Sequence, residues 1–242
     1  MKLLKTLTEF FKKYFFNPKW RCNVCGKELY DGKYFCASCE KQLPFNDGVI
    51  CDHCGRKVLS AEKYCSTCKE RLVNLDKCRS AFIYDKPINS LIKRAKYDGK
   101  KYLLNCFVEY LAWCYYKNYL NAEVVVSVPM TEKSKRKRGY NQSEILSKLF
   151  AEHVGVPYID AIEKVKETSR QARLNRNERM KNLDGVFRVK NKKEIKGKAV
   201  IVVDDVTTTG ATAENIAKRL KSAGAKEVYL LSVASVPPKE GY

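Results

Sequence analysis

The sequence predicts a parallel α/β sheet domain preceded by a cysteine-rich metal-binding module, and three observations carry that reading. Eight of the eleven cysteines stand as four CxxC pairs between residues 22 and 68. Two runs, Val124–Val128 and Ala199–Val203, are almost wholly β-branched and lack polar alternation, the pattern of strands buried on both faces. Segments with apolar residues at helical spacing separate and follow them, and strand, helix, strand in that order makes a parallel sheet the economical arrangement. A chain of 242 residues holds one such domain plus a small accessory module.

The first segment, 1–19, starts basic (MKLLKTLTEFFKKYFF) but Thr6, Thr8, Glu9, Lys12 and Lys13 interrupt it, so neither a signal peptide nor a spanning helix is expected. Wound as a helix, it aligns Leu3, Leu7, Phe11 and Tyr14, with Leu4 and Phe15 beside them. Such a stripe in residues 1–16 can lie on an anionic bilayer or a partner, or pack against its own protein.

Residues 20–77 form the cysteine module. Cys22-x2-Cys25, ten residues, then Cys36-x2-Cys39 recurs as Cys51-x2-Cys54, ten residues, then Cys65-x2-Cys68. Gly26 and Gly55 follow the second cysteine of each half, where a tight turn can aim amides at sulfur, and Phe35 and Tyr64 precede the third. Four thiolates satisfy tetrahedral zinc and close its coordination sphere, so the ions are structural, one or two in number. Sequential sites, a crossed pairing and a single surviving site all fit the spacing. His53, inside a CxxC, is expected at the surface, with a substitute ligand as the alternative. Cys106 and Cys114 fall in an apolar helical stretch and read as core residues. CxxC spacing in place of a disulfide framework points to the reduced cytoplasm.

From 78 to 242 the domain proper unfolds in order. Arg79–Asp85 reads as an entry strand, and Ile88, Leu91, Ile92 and Ala95 as a short helix ending near Gly99. Lys101–Asn118 has Leu103, Leu104, Phe107, Leu111, Cys114 and Tyr115 at helical spacing, a single helix of about five turns. After the strand Val124–Val128 comes a helix over Gly139–His153. A hairpin-like piece surrounds Gly185–Val189, and Ala199–Val203, Thr212–Ala223 and Glu227–Val233 follow as strand, helix and strand.

The chemistry gathers in VIVVDDVTTTGAT, residues 200–212. An apolar strand delivers Asp204 and Asp205, and a turn of Thr and Gly leads into a helix. Free amides at that helix start and the hydroxyls of Thr207, Thr208, Thr209 and Thr212 suit a phosphomonoester. Gly210 is expected to let the backbone approach where a Cβ would collide. Neither GxxxxGK nor GxGxxG is present, which argues against a nucleoside triphosphatase and a dinucleotide fold. Lys133, Lys135, Arg136, Lys137 and Arg138 follow the strand ending at Val128-Pro129, so they can face the same sheet edge. A second basic segment contains Arg170, Arg173, Arg176 and Arg179. The formal net charge of +20, which zinc on eight thiolates lowers by a net four, favours polyanions, acidic membranes or phosphorylated small molecules. A lysine-rich proteome is the plainer source of that charge.

The stretch 200–212 resembles the phosphoribosyl-diphosphate (PRPP) loop of type I phosphoribosyltransferases. The wider chain resembles the ComF family, bacterial proteins associated with natural competence, through its four CxxC pairs, Lys96-Tyr97-x-Gly99, Arg138-Gly139-Tyr140-Asn141-Gln142, Thr168, Arg170, Gln171, Arg176, Asn177 and Gly197-Lys198. The resemblance implies a type I phosphoribosyltransferase-like parallel sheet behind a zinc ribbon. It implies that Asp204 and Asp205 hold the ribose hydroxyls with Mg2+, that Thr207, Thr208, Thr209, Gly210, Ala211 and Thr212 bind the 5′-phosphate, and that the cluster from Lys133 to Arg138 and Arg170 meet the diphosphate. Thr208 stands where purine salvage members carry a carboxylate, which disfavours a salvage enzyme. The function expected is a PRPP-binding protein of unknown acceptor acting in DNA uptake, cytoplasmic or peripheral at the inner membrane face, with other competence proteins as partners. The alternative is a non-catalytic single-stranded DNA-binding factor whose PRPP site is vestigial or regulatory.

Overall fold

The computed structural model describes residues 20–56, 64–69, 74–166 and 185–237. The amphipathic stretch 1–16 and the basic segment around Arg170 lie outside them. The chain divides into two compact units between Leu43 and Pro44. That division differs from the expected 20–77 module: the second cysteine set belongs with the α/β unit, because its backbone is hydrogen-bonded to the first strand of the sheet.

In the first unit, Cys22 N–H donates to Lys27 O (2.8 Å) and Gly26 N–H to Cys22 O (2.9 Å), closing a knuckle around the first CxxC. Gly26 has φ +77°, which an L side chain rarely adopts. Cys36 then caps a one-turn helix, α1 (Ala37–Glu40), which carries Cys39. Phe35, next to Cys36, is buried.

The second unit repeats the device. Cys51 N–H donates to Arg56 O and Gly55 N–H to Cys51 O, each at 2.9 Å, and α2 (Ser66–Lys69) carries Cys68. The rest is a four-stranded parallel sheet in the order β1 (Lys77–Ile83), β6 (Glu227–Ser235), β5 (Ala199–Thr207), β2 (Val124–Ser127). Every residue of β2 is buried, and β5 from Ala199 to Val203 is too, which is why neither run alternates. A short antiparallel pair, β3 (Ile162–Lys164) with β4 (Phe187–Val189), stands apart from it.

Helices cover the sheet. α3 (Ile88–Tyr97) buries Ile88, Leu91, Ile92 and Ala95, its apolar stripe. The expected five-turn helix is two elements: a 3-10 stretch over Lys101–Phe107, then α4 (Val108–Lys117). The apolar spacing was right, but the tighter first part buries Leu103, Leu104, Cys106 and Phe107 together. The helix expected over Gly139–His153 is α6 (Gln142–Val154); before it stands a short helix that apolar spacing did not mark, α5 (Glu132–Arg138), ending where Gly139 turns left-handed at φ +85°. α7 (Ala211–Ser222) packs Ile216, Ala217 and Leu220 with Val124, Val126, Val200, Val202, Val228 and Leu230.

Connections fix where a ligand can sit. From β5 the chain passes through α7 to β6 on one side. From β2 it passes through α5 and α6 to Tyr158, which bridges Val125 on the other side. Connections leaving in opposite directions open a crevice at the carboxyl ends of β2 and β5. Among the described residues, no helix is long and apolar enough to cross a membrane.

Candidate functional site

Each cysteine set is assembled in sequence order. The sulfurs of Cys22, Cys25, Cys36 and Cys39 lie within 4.8 Å of one another, and so do those of Cys51, Cys54, Cys65 and Cys68. Cys25 Sγ–Cys36 Sγ and Cys54 Sγ–Cys65 Sγ both measure 3.8 Å. Four sulfurs at zinc–thiolate distance from one ion are about 3.8 Å apart, so both sets fit zinc and the sequential pairing is the one formed. The Cys65 amide points at Cys51 Sγ (3.3 Å). A hydrogen bond from Cys68, aided by Arg56 against the cost of burial, holds the Cys54 thiol down at about 4.

At the crevice, β5 outruns β2. Ser127 pairs with Val203, while β5 continues beside β6 to Thr207 opposite Ser235. Asp204 and Asp205 therefore stand just past the end of β2. The two carboxylates are held by different helices. Ser143, in the first turn of α6, donates to Asp204 Oδ1 (2.8 Å), and the Asp205 amide donates to the same oxygen (2.8 Å). Lys96, near the end of α3, donates to Asp205 Oδ1 (2.8 Å). Asn141 secures the α6 entry, accepting from the Ser143 amide and donating to Val128 O (3.0 Å).

The charges follow from those contacts. Burial, then the charge of Asp205, pushes the Asp204 carboxyl up to about 7. Burial works against the Lys96 charge, but the Asp205 carboxylate outweighs it and raises the ammonium above its usual value. Asp205 is 3% exposed, and its second oxygen, Oδ2, is buried with no hydrogen-bond partner among the described residues; so is the Tyr140 hydroxyl, one residue before Asn141. A buried carboxylate oxygen left without a donor is unusual and calls for a ligand hydroxyl, water or cation.

The turn after β5 is narrower in its chemistry than the four threonines suggested. Thr207 is buried and its hydroxyl donates to Ser232 Oγ (2.9 Å), tying β5 to β6. Thr208, Thr209 and Thr212 are exposed or half-buried. Gly210 caps α7 at φ +75° and supplies no side chain, so the first amides of α7 have no intrahelical acceptor; that of Ala211 leans on Thr209 Oγ1 at 3.4 Å. The reason for glycine differs from the one expected. Among the described residues a Cβ there meets no atom within 4 Å, and the positive φ is what selects glycine.

The basic segment after β2 is the helix α5. Lys133, Arg136 and Lys137 are exposed. Lys135 pairs with Glu144 (3.1 Å), which raises its pKa, and Arg138 donates to Gln142 Oε1 (2.6 Å) and lies 5.4 Å over the Tyr97 ring. Three cations are thus open to solvent, and two are engaged with α6 and α3. Arg170 lies outside the described residues.

Two participants were not assigned from the sequence. Lys96 was noted only within the stretch Lys96-Tyr97-x-Gly99 that carries the family resemblance, and its pairing 109 residues away leaves no local signal. His53, expected at the surface, is 8% exposed, its Nε2 lying 3.4 Å from Oε1 of the buried Glu214. No spacing rule marks that contact either.

Residues 13–69 match the family described as "Double zinc ribbon domain", and residues 123–241 that described as "Phosphoribosyl transferase domain". The chain is 30% identical over 216 residues to competence protein F of Haemophilus influenzae, covering 88% of this chain and 83% of that one. It is 33% identical over 155 residues to competence protein ComFC of Streptococcus pneumoniae, covering 64% and 66%. The DNA utilization protein YhgH of Escherichia coli matches at 32% over 105 residues, 43% of this chain and 45% of that protein.

Proposed function

We propose, from the premise that this chain belongs to the competence protein F family, a zinc ribbon joined to a phosphoribosyltransferase-like domain, that its crevice binds PRPP or a closely related phosphorylated ribose. The observation that carries the reading is the buried, unpartnered Asp205 Oδ2, one peptide from Asp204 and a short turn from the open amides of α7. Vicinal sugar hydroxyls supply the donors that a carboxylate pair lacks, and a 5′-phosphate suits a helix start.

The reaction supported by this arrangement breaks the bond between ribose C1′ and diphosphate and forms a bond from C1′ to an acceptor. Asp204 and Asp205 hold the ribose, the turn Thr208–Thr212 holds its 5′-phosphate, and the open cations Lys133, Arg136 and Lys137 offset charge on the departing diphosphate. Asp204 and Asp205 also suit Mg2+, which when bound would neutralise that leaving group. Thr208 offers no carboxylate for a purine base, which disfavours a purine as the acceptor.

The names of the relatives, competence protein and DNA utilization protein, support a biological role in DNA uptake, which we assign to the cytoplasmic side of the membrane. A second reading, single-stranded DNA binding without turnover, is favoured by one feature. On and after α4, Trp113, Tyr116 and Tyr119 are exposed, and Lys117 sits 4.4 Å over the Trp113 ring. Exposed rings beside cations suit stacked bases. Asp204→Asn with Asp205→Asn separates the readings: PRPP binding is lost while single-strand affinity holds. Loss of both means one shared anionic site and overturns the two-surface account.

A further inference from the structure

The second cysteine knuckle is welded to the sheet. The Cys78 amide donates to His53 O (2.6 Å), Asn46 Nδ2 donates to Gly55 O (2.8 Å), and the buried Arg79 guanidinium reaches Asp52 O (2.8 Å). A Cβ at Gly55 would stand 2.3 Å from Cys78 O, so the knuckle backbone lies against β1 with no room between them. One further link runs elsewhere. The His53 ring, between two cysteine ligands, meets Glu214 at 3.4 Å, and both side chains are buried. Glu214 is the fourth residue of α7, its amide bonded to Gly210 O, and its other oxygen accepts from the Asn74 amide (2.8 Å). His53, Cys54 and Arg56 line a narrow cleft together with Thr207, Thr208, Thr209 and Gly210.

We propose that His53 and Glu214 couple the second four-cysteine site to the phosphate turn, His53 acting as a positioning residue. The bonds to β1 anchor the backbone around Asp52–Gly55, and metal adds to that anchor by tying Cys51 and Cys54, on either side of His53, to Cys65 and Cys68. Metal there fixes the His53 ring, the ring fixes Glu214, and Glu214 fixes the first turn of α7 whose amides face the anion. Coupling between two sites is reciprocal, so an anion on the turn must also tighten metal at Cys51, Cys54, Cys65 and Cys68. The ligand half of this statement rests on the phosphate reading above; the ordering half does not.

Amide hydrogen exchange over 207–216 in the full zinc-loaded chain tests the ordering half. His53→Ala, which keeps all eight cysteines and two equivalents of zinc, is expected to speed exchange there by about threefold or more. Cys65→Ser is expected to speed it further. Unchanged exchange in His53→Ala with zinc retained overturns the proposal, even if Cys65→Ser fails to fold. The ligand half is read from zinc release to a colorimetric chelator. PRPP should slow release of one of the two ions in the wild-type chain and lose that effect in His53→Ala. Equal slowing in both chains overturns the route through His53. If PRPP does not bind the wild-type chain at all, the functional reading fails, while the exchange result still decides the coupling.

Discussion

The Lys96 ammonium donates to Asp205 Oδ1 at 2.8 Å, from a helix 109 residues earlier in the chain, and leaves the adjacent Asp204 to be held by a serine hydroxyl and a backbone amide. One carboxylate of the pair is neutralised by a cation and the other is not. That asymmetry keeps two neighbouring acids tolerable in a buried crevice before any ligand arrives.

Removing the cation exposes the cost. Lys96→Met leaves the buried Asp205 carboxylate without its partner, and a loss of about 3 kcal/mol is expected in urea unfolding at pH 8. The loss should shrink at pH 5, where the Asp204 carboxyl is protonated and no longer repels Asp205. An equal loss at both pH values would show that Lys96 acts by packing.

Asp204 sets a pH window. Its folded value of about 7 lies above the ordinary carboxyl value near 4, so between them the folded chain holds more protons than the unfolded one. Its contribution to stability is therefore favourable below about 4 and is lost as pH rises to about 7. Asp204→Asn should flatten that slope in unfolding curves of the free protein. Binding that uses the carboxylate has the opposite sense, strengthening as pH rises through 7.

Gly210 is required by conformation alone. Gly210→Ala has room for its methyl group but must hold φ near +75°, at a cost of about 1 kcal/mol. Stability should fall by that small amount, while affinity for ribose 5-phosphate falls further because the α7 amides shift. Unaltered affinity would remove the turn from the site.

Two zinc ions per chain are expected by elemental analysis, with one lost in Cys36→Ser and the other in Cys65→Ser. Retention of two ions in either variant would contradict the sequential assignment.

The open face of α5 decides between diphosphate and strand contacts. Converting Lys133, Arg136 and Lys137 to alanine should weaken diphosphate binding. If α5 also follows a DNA backbone, the salt slope of single-strand affinity should drop by roughly 2. An unchanged slope places DNA elsewhere, with Trp113, Tyr116 and Tyr119 as the next surface to vary.

What the sequence disclosed follows physical locality. The β-branched runs, the cysteine repeat and the 200–212 motif carry their own signals, because strand burial, metal geometry and a phosphate turn each depend on neighbouring residues. The helix α5 buries no residue, so spacing of apolar residues does not register it. Thr207 read as a cradle hydroxyl because nothing local shows that Ser232, on the next strand, claims it. His53 read as a surface residue for the same reason, since its partner Glu214 is 161 residues away. Pairings made by the fold, rather than by the segment, were the ones left unread.

The most direct measurement is calorimetric titration of the zinc-loaded chain with PRPP in Mg2+, beside ribose 5-phosphate and diphosphate. Saturable PRPP binding, tighter than either fragment and abolished with Asp204 and Asp205 both converted to asparagine, is the predicted result. No heat of binding at millimolar PRPP would contradict the account and leave nucleic acid as the ligand to pursue.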